Sequence, residues 1–94
     1  MVKKAGKGRK QSMEAMNVGK YTMASAVRLT NVESHRLRMY EKFNLIEPSR
    51  TEASQRLYSD ADVENIKDIA ALEKEGVNLK GIEIILSMRR GERK

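Results

Sequence analysis

Apolar side chains recur three and four positions apart in two neighbouring stretches of the chain, and this spacing predicts two short helices. The first helix begins after Thr22, which is suited to cap it, and carries its helically spaced positions at Met23, Ala26, Val27 and Thr30. The second spans residues 34–43 and faces inward with Leu37, Tyr40 and Phe43. Asn31 tolerates the left-handed backbone of a tight turn, and Val32 would pack beneath that turn. Two helices joined by a turn of about three residues form a helix-turn-helix.

The segment after this pair of helices predicts a small hairpin. Pro48 biases Glu47 away from helical backbone, so residues 45–48 should be extended. Residues 50–51 and 55–58 then predict two short strands on either side of a polar loop.

Two further helices complete the predicted fold. The clearer one covers residues 59–75, where Ser59 caps the first turn, Asp62 completes a capping box and Gly76 suits the position after the last turn. Asn78 caps a last helix with apolar positions at Leu79, Ile82, Ile85 and Leu86. The chain is therefore predicted to be mostly α with a small β-hairpin wing, which is a winged helix-turn-helix.

Positive charge is concentrated at the start of the chain. The net charge is +6 at pH 7, and residues 1–20 hold six Lys or Arg side chains against one Glu, whereas residues 59–75 hold six acids against two lysines. A net balance of this size suggests a polyanionic partner. We predict a flexible basic arm at residues 1–19, a winged helix-turn-helix domain at residues 20–88 and a basic tail at residues 89–94. The arm is either a DNA-binding arm or an ordinary solvated tail.

Composition excludes several classes of function. The absence of Cys excludes disulfides and thiolate metal sites, and the single His has no companion ligands. Asp60 and Asp62 are accounted for by helix capping and do not form a catalytic acid pair. We therefore expect no enzyme activity, no cofactor and no metal. No stretch is long and apolar enough for a membrane span, so we expect a cytoplasmic protein.

The second predicted helix carries candidates for reading DNA bases. Its first turn holds Ser34, His35 and Arg36, at the end of a recognition helix that meets base edges. An arginine binds guanine O6 and N7 at two points, and a histidine donates or accepts in the same groove. Met39 offers an apolar contact to a thymine methyl group. Each of these side chains is also compatible with an ordinary solvated surface.

A second set of residues is predicted to bind phosphate. Arg38 and Tyr40 offer a charge-assisted bond and a hydroxyl donor, although Tyr40 also suits the core. Arg50 and Arg56 flank the hairpin and would neutralise phosphates across a groove, unless they form surface salt bridges with Glu47 or Glu52. The remaining candidates are Arg28, Gln55 and Lys80.

Residues 21–86 resemble the DNA-binding domain of the MerR family of bacterial transcription regulators. The resemblance is carried, in the family's order and spacing, by Tyr21-Thr22-Met23, Arg28-Leu29-Thr30-Asn31-Val32, Leu37-Arg38-Met39-Tyr40-Glu41, Leu45-Ile46-Glu47-Pro48-Ser49-Arg50-Thr51, Arg56-Leu57-Tyr58-Ser59, Asp62-Val63 and Glu75-Gly76-Val77-Asn78-Leu79. Residues 75–82 look most like the heat-shock repressor (HspR-like) branch, with the nitrogen-regulator (GlnR/TnrA-like) branch second. The family's glycine-rich wing tip is replaced by Ala53-Ser54-Gln55, which would alter the wing's grip.

The resemblance implies a regulator on the bacterial nucleoid that binds an inverted repeat of double-stranded DNA. It implies a homodimer, or a dimer that forms only on DNA. In the heat-shock branch the DnaK chaperone can serve as co-repressor. The resemblance places Arg38 and Tyr40 among the helix contacts and Arg50 and Arg56 on the wing. Nothing after Met88 encodes the family's long dimerisation helix or effector domain, so we expect no ligand sensing by this sequence.

Two alternatives remain open from the sequence. An architectural DNA-binding protein of the excisionase kind would share the winged-helix plan, bind adjacent sites cooperatively and bend DNA. A protein-interaction module would instead use the acidic helix at residues 59–75 as its surface. The favoured hypothesis is a transcription regulator, a repressor of stress or metabolic genes.

Overall fold

The computed structural model describes residues 13–91 of the chain. The helices are α1 (Met13–Met16), α2 (Met23–Thr30), α3 (Ser34–Lys42), α4 (Asp60–Lys74) and α5 (Leu79–Arg89). The strands are β1 (Gly19–Tyr21), β2 (Ser49–Arg50) and β3 (Arg56–Ser59), and they form an antiparallel sheet in the order β1-β3-β2. The predicted winged helix-turn-helix is confirmed: α2 and α3 are the helix-turn-helix, and β2 with β3 is the wing.

The turn between α2 and α3 follows the prediction closely. The Thr22 side chain accepts a hydrogen bond from the backbone N–H of Ser25 at 3.2 Å, which satisfies a free donor of the first helical turn. Asn31 ends α2 with a φ of 60°, and its N–H donates to the Val27 carbonyl. Val32 is buried beneath the turn. The two helices are therefore fixed by local capping as well as by the core.

The inner side of α3 is buried, with one exception to the prediction. Leu37 and Tyr40 are at most 1% exposed, as their helical spacing indicated. The prediction that Phe43 faces inward is wrong, because α3 ends at Lys42 and Phe43 remains 37% exposed. Asn44 then turns the chain with a φ of 62° and directs Leu45 and Ile46 into the core instead.

Strand β1, like the short helix α1, is an element that the sequence did not predict. It pairs with β3 through Gly19 opposite Ser59 and Tyr21 opposite Tyr58. A Cβ atom on Gly19 would lie 2.9 Å from the Leu57 carbonyl oxygen and 3.1 Å from the Cβ of Ser49, so the close approach of β1 requires glycine. Residues 13–19 of the predicted flexible arm thus contain a short helix and the first residue of a strand.

Side chains tie β1 to the start of α4. The Tyr21 hydroxyl donates to Oδ1 of Asp60 at 2.6 Å, and Lys20 Nζ lies 2.8 Å from Oδ2 of the same carboxylate. The bond to Asp60, with a contribution from burial, raises the pKa of Tyr21, so the hydroxyl remains a donor at neutral pH. The edge strand is therefore held by side chains as well as by its short ladder.

Helix α4 supplies much of the core. Ser59 and Asp62 form the predicted capping box, with bonds of 3.0 Å and 2.9 Å in the two directions. Asn78 caps α5 as predicted, through a bond from the N–H of Gly81. The core is completed by buried apolar residues from every major element, which include Ala26, Leu37, Tyr40, Tyr58, Ile66, Ile69 and Ile82.

The sequence predicts a basic arm at residues 1–19 and a basic tail at residues 89–94. Residues 1–12 and 92–94 lie outside the part of the chain that the structure describes. The described portion of the tail begins inside α5, which extends to Arg89. Among residues 13–91, no helix combines the length and the apolar character that a bilayer crossing requires.

We predict that Ser59→Ala lowers the free energy of unfolding by about 1 kcal/mol, because it removes the acceptor for one N–H of the first turn of α4. Urea denaturation followed by circular dichroism measures this change. Ser49→Ala is the matched control, since it removes a hydroxyl from an exposed position on β2. Equal stability losses in both variants would contradict the importance of the capping box.

Candidate nucleic-acid interface

The outer side of α3 presents a row of polar and basic side chains. His35, Arg38 and Lys42 are exposed, and Ser34 and Met39 are half-buried beside them. These positions are spaced by three or four residues and therefore lie on one face of the helix, opposite the buried pair Leu37 and Tyr40. The face has the composition of a recognition surface: two cations, one imidazole, one hydroxyl and one thioether.

A groove runs between this helix, the start of α2 and the tip of the wing. It has a volume of about 400 Å³ and is lined by Thr22, Met23, Ala24, Arg38, Ser54, Gln55 and Arg56. The free N–H groups at the start of a helix and its dipole favour an anion at this position. Two arginines from two other elements face the same space, so the groove suits one phosphate of a nucleic-acid backbone.

The wing turn is built without glycine. Ser54 adopts a φ of 65°, a left-handed conformation that side chains rarely favour. Its N–H donates to the Thr51 carbonyl at 2.9 Å, and the N–H of Gln55 donates to the Thr51 hydroxyl at 3.1 Å. These bonds hold Gln55 at the groove.

A single carboxylate on α3 holds both wing arginines. Arg50 Nη2 donates to Oε2 of Glu41 at 2.6 Å, and Arg56 Nε donates to Oε1 at 2.7 Å. Burial alone would raise the pKa of Glu41, but the bonds and charges of Arg56 and Arg50 together outweigh it and lower that pKa. The alternative considered for these arginines, an ion pair with a glutamate, is therefore present, although its partner is Glu41.

A second carboxylate joins α3 to α4. The Tyr40 hydroxyl donates to Oε1 of Glu73 at 2.5 Å, while Arg36 forms an ion pair with Oε2 of the same group. Burial raises the pKa of Tyr40, against the opposing charge of Arg36, so the phenol stays protonated at neutral pH. The guanidinium of Arg36 also lies 5.9 Å from the centre of the Tyr40 ring, within cation–π range.

This arrangement bears on two of the predicted site residues. Tyr40 is 1% exposed and its hydroxyl donates to Glu73, which agrees with the core position that also suited it, and its phosphate contact stays a prediction. The guanidinium of Arg36 is half-exposed and paired with Glu73, so that base reading by Arg36 would require it to leave this ion pair, and the assignment stays a prediction.

The remaining predicted residues lie at different distances from the groove. Arg28 is exposed, and its Nη2 lies 3.4 Å from the Ser25 hydroxyl, so it reaches back towards the start of α2. Gln55 lines the groove itself. Lys80 pairs with Glu83 of its own helix at 3.0 Å and is not among the groove's lining residues. The predicted phosphate contact of Lys80 therefore stays a prediction.

Sequence reasoning missed several residues of this surface. Lys42 follows Arg38 and Met39 at the same helical spacing, which was a usable signal. Glu41 and Glu73 form their pairs with partners up to 37 positions away, and no local pattern indicated them. Thr22 was recognised as a cap but not as part of the groove.

Comparison with known proteins agrees with this geometry. The sequence profile of the MerR HTH family regulatory proteins matches residues 21–89. The chain belongs to the MerR family. The match to a family of HTH regulatory proteins agrees with the helix-turn-helix that α2 and α3 form.

Individual relatives come from both branches named in the sequence analysis. The chain is 36% identical over 64 residues to the HTH-type transcriptional regulator GlnR of Bacillus anthracis, covering 68% of this chain and 50% of GlnR. It is 41% identical over 64 residues to TnrA of Bacillus subtilis, covering 68% and 56%, and 33% identical over 69 residues to HspR of Streptomyces coelicolor, covering 72% and 46%. The chain thus spans about half the length of these MerR relatives.

A solved structure shares the MerR fold. The crystal structure of a MerR-family transcriptional regulator from Bacillus cereus superposes with a TM-score of 0.65 and is 28% identical. The matched region covers 70% of this chain and 50% of that one.

We predict that Tyr40→Phe lowers the free energy of unfolding by about 1.5–3 kcal/mol, because a hydrogen bond to a charged, partly buried acceptor is lost. Tyr58→Phe is the matched control, since the Tyr58 hydroxyl has only a weak 3.5 Å contact to the Met23 sulfur. Urea denaturation of both variants measures the difference. Equal losses would show that the bond to Glu73 adds little to the stability of this MerR domain.

We predict that the stability advantage of the wild-type chain over Glu41→Gln depends on pH. Because the pKa of Glu41 is lower in the folded chain than its ordinary value of 4.5, the stabilisation is present above 4.5 and is lost as the pH falls through the folded value. The advantage should be no more than about 1 kcal/mol at neutral pH, since the pair is partly exposed. Urea denaturation at a series of pH values measures it, and an advantage that persists in acid would contradict the ion pair.

Proposed function

We propose that this MerR-family chain binds double-stranded DNA sequence-specifically, with α3 in the major groove and the wing on the sugar–phosphate backbone. The observation that carries the proposal is the groove in which Arg38, Arg56 and the start of α2 meet. A phosphate bound there would fix the position of α3 on the duplex, because phosphate contacts set register while base contacts set specificity.

The base-reading residues of the proposal are Ser34, His35 and Met39. His35 is exposed at the first turn of α3, and its Nδ1 lies 3.4 Å from Oε1 of Glu33, a contact that a base edge can replace at little cost. Met39 would contact a thymine methyl group. Changing His35 to Ala should therefore relax preference at one or two base positions.

The phosphate-binding residues of the proposal are Arg28, Arg38, Arg50, Gln55 and Arg56, with Lys42 added from its position on the exposed face of α3. Arg38 is exposed and no ion pair is found for it among residues 13–91, so it can bind a phosphate without giving up an internal partner. Arg50 and Arg56 start from the bridge to Glu41.

The wider assignment draws on the family. We propose that the protein acts as a homodimer on an inverted repeat, because a two-fold symmetric reader matches a symmetric site. A repressor role at stress or metabolic genes, a place on the nucleoid in the cytoplasm and a DnaK co-repressor belong to the same proposal. HspR and the GlnR and TnrA regulators are the relatives that motivate these assignments.

The acidic stretch at residues 59–75 gives little support to the alternative of a protein-interaction module. Three of its carboxylates have internal uses: Asp62 caps α4, Asp60 holds Lys20 and Tyr21, and Glu73 holds α3. Fewer acidic side chains are therefore left to contact a protein partner than the sequence alone indicated.

The first experiment selects bound duplexes from fragmented genomic DNA. An inverted repeat that is bound more tightly than scrambled DNA is the expected result. Direct repeats filled cooperatively, with strong bending, would favour the architectural alternative, and an absence of any duplex binding would overturn the proposal.

We predict that Arg38→Ala weakens binding to every duplex and reduces the slope of log affinity against log salt concentration by about one. Lys67→Ala is the matched control, because Lys67 lines a different depression with Thr30 and Asn31, at the far end of α2 from the groove. Fluorescence anisotropy at several salt concentrations measures both. A slope that is unchanged in Arg38→Ala would remove Arg38 from the phosphate contacts.

A further inference from the structure

A bridge formed by one carboxylate connects the recognition helix to both strands of the wing. Glu41 lies on α3, Arg50 on β2 and Arg56 on β3, and the two arginines are directly paired across the hairpin. Each carboxylate oxygen accepts one of the two guanidinium groups, at 2.6 Å and 2.7 Å. The three charges carry a net +1, rather than the +2 of two unpaired arginines.

A carboxylate at this position opposes the attraction of DNA. Phosphate binding draws its free energy from neutralising charge and releasing counterions, and each free arginine adds to that term on any sequence. An acidic side chain among the wing cations therefore lowers non-specific affinity. With a neutral residue at position 41, the wing would bind DNA of any sequence more strongly. The contribution of Glu41 must therefore be something other than affinity.

The geometry provides such a contribution. Arg56 and Glu41 have side chains about three-quarters buried, at 25% and 26% exposure, while Arg50 is 42% exposed. Two long and otherwise mobile side chains are thus held in one orientation relative to α3. Ordering them before binding removes part of the entropy cost of association.

We infer that Glu41 is a specificity-determining positioning residue, which couples the wing arginines to α3 so that they meet phosphates in register only when α3 meets its bases. The inference rests on the proposed DNA-binding function. On the correct site, the arginines contact phosphate from their held positions. On other sequences, the bridge keeps them from moving to whichever phosphate is nearest.

The test compares Glu41→Gln with wild type on two duplexes. These are the tightest duplex recovered from a random-sequence selection and a scrambled duplex of the same length and composition. Loss of the bridge should raise affinity for the scrambled duplex, steepen its salt slope by about one, and lower the ratio of selected to scrambled affinity on the order of ten-fold. A merely structural role would change the affinity for both duplexes equally and leave their ratio at the wild-type value.

Glu47→Gln is the matched control. Glu47 is exposed and lies near Glu41, in the same shallow depression beside Asn44 and Ile46, and the substitution makes the same change in net charge. Among residues 13–91, no arginine pairs with it at ion-pair distance. Its effect on the two duplexes should be equal, so that the affinity ratio stays at the wild-type value.

Glu41→Asp tests the geometry of the bridge without changing the net charge. The shorter side chain keeps the net charge but cannot reach both guanidinium groups, so the affinity ratio should fall here too. Thermal melting confirms that each variant folds. An unchanged ratio in a folded Glu41→Asp protein, or equal changes in Glu41→Gln and Glu47→Gln, would overturn the inference while leaving DNA binding intact. A wild-type chain without sequence preference would overturn the proposed function as well.

Discussion

The attachment of α3 to α4 is the constraint on which the rest of the structure depends. Leu37 and Tyr40 anchor the inner side of α3 in the core, and the carboxylate of Glu73 holds Tyr40 and Arg36 from the neighbouring helix. This attachment fixes the rotation of α3 about its own axis. His35, Arg38 and Lys42 face outward because the opposite side of the helix cannot turn away from the core.

The distribution of charge follows from the same arrangement. A basic chain with an acidic stretch at residues 59–75 suggests one basic and one acidic surface. Several acidic side chains of α4, however, form capping bonds, ion pairs or hydrogen bonds within the fold. Among residues 13–91, the exposed cations Arg38 and Lys42 on the outer side of α3 are found in no ion pair. A modest net charge therefore produces a directional surface, which is what orientation on a duplex requires.

Most of the fold could be predicted because its signals are local. Thr22, Ser59 and Asn78 each mark a helix start through a bond to a residue three positions later, and Asn31 marks a turn through its own backbone preference. Strand β1 has only three residues, and its stability comes from β3 and Asp60, which are distant in sequence. The partners of Tyr40 and Arg36 were missed for the same reason. Helical spacing predicts whether a side chain on a helix is exposed or buried. It does not predict which distant residue that side chain contacts.

The glycine at position 19 joins two parts of the molecule that the sequence separates widely. It lies against Leu57 and Ser49, the immediate chain neighbours of Arg56 and Arg50. Any side chain at this point would displace the strands that carry the two arginines. Strand β1 and the two strands of the wing are therefore packed against each other at this one residue, so that a displacement of β1 would also displace β2 and β3.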